Sequence, residues 1–402
     1  MSGGLHPSWR TRLQALAAAA AMLAFAGSSA AAGTPEVAKW FRYSPDVETA
    51  WQISGQSDPM TVAIRRKGDQ MRSAPQHVLV LYPRPSSAYD IAITKILHVF
   101  EGREINAEIT AVNFDMSDER GRNALRLAES EHYDLIFAMG SESTAWLYDN
   151  YRGGAIPVVS VCSKDPVQLG QMRDYETGSG TNFAFTSLNM PVDVQMAYVN
   201  ELRPDLRNLT VLVDSKNVSA MQTQAEPIAA YARQRGIQVI LGAVKDPSNA
   251  RQELVEIVAD AVRTMRKNDP DLTRSLFWVT GSTSVFLEIR TINEYADRVP
   301  VVSVVPEVVK AGPDTAVLAI GISFESNAHL AAIYGSDILS GRQRAQDLKV
   351  GIVSPPDIAI SFLKSREIGM RVPFGFFESA SFIYDYDGRA VRTIASRIGA
   401  EN

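Results

Sequence analysis

The side chains able to do chemistry in this sequence gather at the ends of short apolar runs, and most are small hydroxyl and amide types. Gly140-Ser141-Glu142-Ser143 follows the run 134–139, and Gly281-Ser282-Thr283-Ser284 follows the run 275–279. At a helix start such residues either cap the free backbone N–H groups or, together with those groups and the helix dipole, hold a carboxylate. Asp214-Ser215 after the run 209–213 reads as a further N-cap. Arg84 and Tyr89 are the charged and aromatic side chains placed after the run 77–82, and Arg84 there could pair with an anion. No nucleophile or metal set can be assembled beside them. Gly140-Ser-Glu-Ser143 lacks the closing glycine of a nucleophile elbow, no phosphate-binding Gly-x-x-x-x-Gly-Lys-Ser/Thr loop exists, and His77, His98, His132 and His329 show no ligand spacing. Gly178-Ser179-Gly180 lacks the third glycine of a dinucleotide fingerprint and reads as a flexible crossover. Asp385-Tyr386-Asp387-Gly388 is a fragment of a calcium loop and reads better as a hairpin turn. The chemistry expected is reversible binding, with no enzyme activity, cofactor or metal.

Those residues need a scaffold that brings strand ends together, and the hydrophobic periodicity supplies one. Apolar runs at 77–82, 107–113, 134–139 and 156–161 alternate with stretches of helical period, such as 88–100 and the stretch opening at Ser117. Such alternation means βαβ units, hence parallel sheets covered by helices on both faces. The order recurs at 209–213, 237–243, 275–279 and 299–304, with helices over 219–235, 250–266 and from Ser284. The recurrence reaches single residues: Pro-Val-Val-Ser-Val stands at 157–161 and again at 300–304, each downstream of a Gly-Ser-x-Ser. Two homologous α/β domains follow. In such sheets ligands bind beyond the carboxyl ends of the strands, so two facing domains would enclose one ligand and hinge about their linkers.

The chain is 402 residues long, 46% hydrophobic and 21% charged, with 40 basic and 45 acidic side chains, an ordinary globular composition with no excess of positive charge for coating nucleic acid. Its first 32 residues read as a leader: Arg10 and Arg12 precede the apolar run 13–26, and Gly27-Ser-Ser-Ala-Ala-Ala32 offers small residues for cleavage. Removing it leaves 38 basic against 45 acidic side chains, a net charge of −7. The run is too short to span a bilayer and no longer one follows, so a periplasmic protein without membrane insertion is expected, and no cysteine follows the run to carry a lipid. The single cysteine, Cys162, excludes a disulfide framework and reads as a small core hydrophobe.

Several segments together resemble the ABC-transporter substrate-binding family whose studied members bind aromatic amino acids, a branch of the type I periplasmic binding proteins. They are 156–167, Gly180-Thr-Asn182, 201–213, 304–312, 320–327 and 360–373, covering about 77–384. The resemblance implies two Rossmann-like domains, one over 77–186 plus about 321–350 and one over 187–320 plus about 351–392, with 33–76 as an added extension. It implies ligand contacts from the turns after corresponding strands: Arg84, Ser86 and Tyr89; Ser141, Glu142 and Ser143; Asp165; Ser215, Asn217 and Ser219; Gly281, Ser282 and Thr283; Glu307; and Ser323 in addition. It also implies a small-molecule ligand, an amino acid or a small carboxylate or aromatic compound, and a permease of the inner membrane as partner. A second reading keeps the cleft but makes the chain a ligand sensor or accessory protein for a receptor kinase or exported dehydrogenase, with 33–76 as a docking arm.

Overall fold

The computed structural model describes residues 37–68 and 74–392, so the leader expected at 1–32 lies outside the described residues. The first sheet has seven strands: β1 (Trp51–Gly55), β2 (Thr61–Arg66), β3 (Gln76–Tyr82), β4 (Ala107–Asn113), β5 (Leu135–Met139), β6 (Val158–Val161) and β7 (Phe183–Ala184), in the order β1-β2-β4-β3-β5-β6-β7. From β4 to β7 neighbours run parallel, and α1 (Ser87–Gly102), α2 (Asp118–Ser130) and α3 (Gly140–Tyr151) make the crossovers. The period of two along β3 sorts the core. Val78, Val80 and Tyr82 join one apolar cluster with Ile93, Ile96 and Phe100 of α1, while Leu79 and Leu81 join another with Ala124 and Leu125 of α2 and Leu147 of α3.

The stretch 33–76, expected only as an addition, is partly built into this sheet. β1 and β2 form a hairpin, and β2 pairs antiparallel with β4 from Thr61↔Val112 to Arg65↔Glu108. Trp51 and Ile64 are fully buried in the hairpin, which explains how an outwardly polar segment is held. Its apolar residues are too sparse for periodicity alone to reveal them.

After the short β8 (Thr186–Ser187) the chain passes through α4 (Val192–Leu202) to the second sheet. Its strands are β9 (Asn208–Asp214), β10 (Gln238–Val244), β11 (Ser275–Val279), β12 (Val301–Ser303), β13 (Leu318–Gly321), β15 (Asp357–Ser361), β16 (Phe382–Tyr384) and β17 (Ala390–Arg392). They lie in the order β10-β9-β11-β12-β13-β15-β16-β17, parallel up to β13, with β15 antiparallel to it. The intervening helices include α5 (Val218–Ala220), which runs through a π-helical turn into α6 (Glu226–Gln234), then α7 (Ala250–Met265), α8 (Thr283–Phe286) and α9 (Ile289–Tyr295). Asp387-Gly388 does turn a hairpin, with Gly388 N–H donating to Asp385 O at 3.0 Å between β16 and β17.

From β13 the chain returns to the first sheet as α10 (Phe324–Leu339), which packs along α1. The close approach of α10 to β5 requires Gly335, since a Cβ on it would stand 2.4 Å from the Phe137 ring. β14 (Gly351–Ile352) then pairs parallel with β8, so that two of the passages between the sheets lie side by side. α11 (Phe362–Glu367) and α12 (Phe374–Ser379) complete the second lobe beside β15 and β16.

Candidate functional site

The carboxyl ends of β3, β5 and β6 face those of β9 and β11 across a cleft of about 380 Å³. Of the residues singled out in the sequence, Arg84, Ser86, Tyr89, Ser141, Glu142, Asn217, Ser219, Gly281 and Thr283 line it. The other five do not. Ser143 is buried and donates to Leu81 O at 3.0 Å, Asp165 accepts Tyr175 Oη at 2.6 Å, and Ser215 donates to Val244 O at 2.8 Å. Ser282 accepts Asp214 N–H at 3.2 Å, and Glu307 accepts Phe324 N–H at 2.6 Å. Ser323 likewise stays out of the cleft, capping α10 by accepting Ser326 N–H at 3.0 Å. These groups tie strand ends and turns together.

The repeated Gly-Ser-x-Ser is used differently in the two lobes. In the first, Ser141 faces the cleft and accepts Lys164 N–H at 2.9 Å, while Ser143 bonds into the sheet. In the second the roles exchange: Ser282 bonds the sheet, and Ser284 faces the cleft, donating to Asp214 Oδ2 at 2.8 Å. The cause is the differing entry into the helix. α3 begins at Gly140 itself, whose φ of +75° favours glycine and whose missing Cβ leaves room for the Tyr89 hydroxyl, whereas α8 begins two residues after Gly281.

Sequence reasoning stopped one residue away from the dominant charge. It selected Asp165, but Lys164 is the side chain that enters the cleft, and it is 6% exposed. Its ammonium makes one long hydrogen bond among the described residues, to Gly281 O across the cleft at 3.4 Å, and no ion pair. Burial drives its pKa down to about 8, with Cys162 and Glu142 acting in the opposite direction. The detectable signal was position: a lysine just past a short, mostly apolar strand stands at the strand's carboxyl end.

Of the remaining charges that line the cleft, Lys216 is exposed and the others have partners. Arg84 is ion-paired with Glu142, whose pKa is raised by burial and held back by Arg84. Asp214 accepts Lys216 N–H at 2.8 Å as well as Ser284 Oγ. Lys164 is therefore the buried charge with hydrogen-bonding capacity to spare. Apolar walls stand beside it: Tyr89, Phe286, Leu287 and Phe324 line the cleft, with the Phe286 and Phe324 rings 6.1 Å apart. Cys162 also lines it, at φ +53°, its N–H donating to Asn327 Oδ1 at 2.7 Å. Burial pushes that thiol far above its ordinary range, so it is not a nucleophile at neutral pH. Among the described residues no cluster of His, Cys, Asp and Glu could hold a metal ion.

No protein-family model matches the sequence, and no curated protein matches it. Solved structures do. A conserved domain protein from Vibrio cholerae aligns over its whole length with 77% of this chain, at a TM-score of 0.61 and 16% identity. An ABC domain from Streptococcus pneumoniae in complex with L-Trp aligns over its whole length with 77% of this chain, at a TM-score of 0.60 and 15% identity. A ligand-free, open substrate-binding protein with adhesive properties from Clostridium difficile is matched over its whole length by 80% of the chain, at a TM-score of 0.57 and 19% identity. The fold is that of the two-domain type I periplasmic binding proteins. No helix among the described residues is long and apolar enough to cross a membrane.

Proposed function

We propose that this chain is an exported solute-binding protein that captures a small carboxylate with an apolar or aromatic body between its two lobes and delivers it to a permease of the ABC type. The observation that carries the reading is Lys164, a buried ammonium with unused donors in a cleft lined by both lobes. A buried charge without a partner is costly, and an anionic ligand group supplies the partner the protein lacks. Tyr89, Phe286 and Phe324 then cover the apolar part of the ligand. Aromatic amino acids fit this description, with the ligand ammonium near Asp214 or Glu142, and the L-Trp complex of the Streptococcus structure lends support through shared fold. Binding works by differential affinity for the closed arrangement, with no covalent step.

A thermal-shift screen of aromatic and aliphatic carboxylates, each beside its neutral amide, tests the reading. Carboxylates should raise the melting temperature in proportion to ln(1 + [L]/Kd), and the matching amides should bind about 10- to 100-fold more weakly for want of the charge-assisted bond. Equal stabilisation by acid and amide would refute the role given to Lys164.

A further inference from the structure

Where the chain leaves the second sheet for α10, two carboxylates of that lobe meet the start of the helix. Ser323 N–H donates to Asp357 Oδ2 at 3.0 Å, and Phe324 N–H donates to Glu307 Oε1 at 2.6 Å. Asp357 opens β15 and Glu307 lies in the 3₁₀ turn Pro306–Val308, whereas α10 packs on α1 of the first lobe. The two acids thus bridge the joint about which the lobes would turn. Glu307 as a residue is partly exposed, but its Oε2 is buried without a hydrogen-bond partner, and no Lys or Arg forms an ion pair with it among the described residues.

The groups around Glu307 offer it little help. Asp357 on β15 opposes its ionisation, and Tyr384 on β16 and Cys162 at the end of β6 are neutral groups whose own ionisation Glu307 opposes. Glu325, in the first turn of α10, is held by Lys95 at 2.6 Å. Burial therefore pushes the Glu307 carboxyl up to about 8, against the pull of its own backbone N–H and of the Phe324 and Glu325 N–H groups at the start of the helix. The bond has a direct route to the cleft, because the residue whose N–H it holds is Phe324, whose ring forms part of the cleft wall.

We propose that Glu307 is a proton-operated latch on the hinge, which in its neutral form holds the start of α10 against the second lobe and on ionisation releases it, altering the angle between the lobes. A neutral carboxyl keeps its carbonyl oxygen as acceptor for Phe324 N–H. The ionised form places a second negative charge beside Asp357, with one oxygen unpartnered and no ion-paired cation among the described residues, and the arrangement that relieves it is one in which the lobes have moved.

The sign follows from the folded state holding the proton more tightly than the unfolded chain does. Stability is lost as the pH rises from the ordinary glutamate range to about 8, and the loss is then complete. The test uses the mature chain with no ligand added, so that a failed carboxylate screen and a failed latch are separate results. Wild type and Glu307→Gln are compared from pH 5.5 to 9 by thermal unfolding and by small-angle X-ray scattering. The wild-type melting temperature should fall relative to that of Glu307→Gln across this range, and its radius of gyration should change with a midpoint near pH 8. Glu307→Gln should show no such change in radius. Asp357→Asn, which keeps Glu307 and removes its negative neighbour, should move the wild-type midpoint to lower pH. A radius of gyration that stays constant across the range in wild type, or a transition unmoved in both variants, would overturn the latch.

Discussion

Lys164 is held in the cleft against its own solvation, and that makes its removal informative in two ways. A lysine whose folded pKa is lowered to about 8 penalises folding below that pH, and the penalty fades as the pH rises toward the ordinary lysine range. Lys164→Met should therefore stabilise the unliganded protein by about 2–3 kcal/mol at pH 7, a gain that disappears by about pH 10.5 in urea unfolding curves. The same substitution should abolish the preference for acids over amides. In the wild type, affinity for a carboxylate should decline above pH 8 as the ammonium loses its proton. The serines divide by what they touch. Ser141→Ala and Ser284→Ala, which alter cleft-facing hydroxyls, should change ligand affinity. Ser143→Ala and Ser282→Ala remove buried bonds to the sheet and should cost about 1 kcal/mol or more of stability with affinity preserved. Calorimetry and unfolding on the four variants separate the two patterns.

At the scale of elements, the parallel strands were legible because burial on both faces writes them as nearly continuous apolar runs: the runs 134–139 and 275–279 contain β5 and β11. The two-lobed α/β architecture followed from their repetition. What sequence reasoning could not reach were pairings set by distant chain. The β1–β2 hairpin attaches to β4 through backbone bonds that no local pattern encodes, and β13 turns antiparallel to β15 only after α10 has intervened. Side-chain direction was equally hidden. Which serine of a Gly-Ser-x-Ser looks into the cleft depends on where the helix begins, and Lys164 rather than Asp165 enters it because the backbone twists at Cys162. The hairpin is integral to the first lobe on this account. Trp51→Ala, which empties a fully buried site capped by the Arg66 guanidinium, should cost about 3–5 kcal/mol in equilibrium unfolding. Stability within about 0.5 kcal/mol of wild type would show that the hairpin is peripheral.

The whole molecule is two α/β lobes joined by side-by-side linker strands, with the candidate ligand site and the carboxylate latch at the same joint. A ligand that bridges Lys164 and the second lobe favours the closed arrangement only by its extra contacts there, so scattering should report a smaller radius of gyration with a bound carboxylate than without. Export is checked on the chain itself: expressed in a Gram-negative bacterium, the proposed leader predicts a periplasmic product whose first residue, by mass spectrometry, is Gly33. The central claim is that a buried ammonium between the lobes recognises an anionic ligand group. Its most direct test is isothermal titration of wild type and Lys164→Met with the carboxylate that stabilises the protein most in the screen. Affinity should fall about 10- to 100-fold in the variant while the fold is kept; an unchanged Kd in a folded Lys164→Met protein would contradict it.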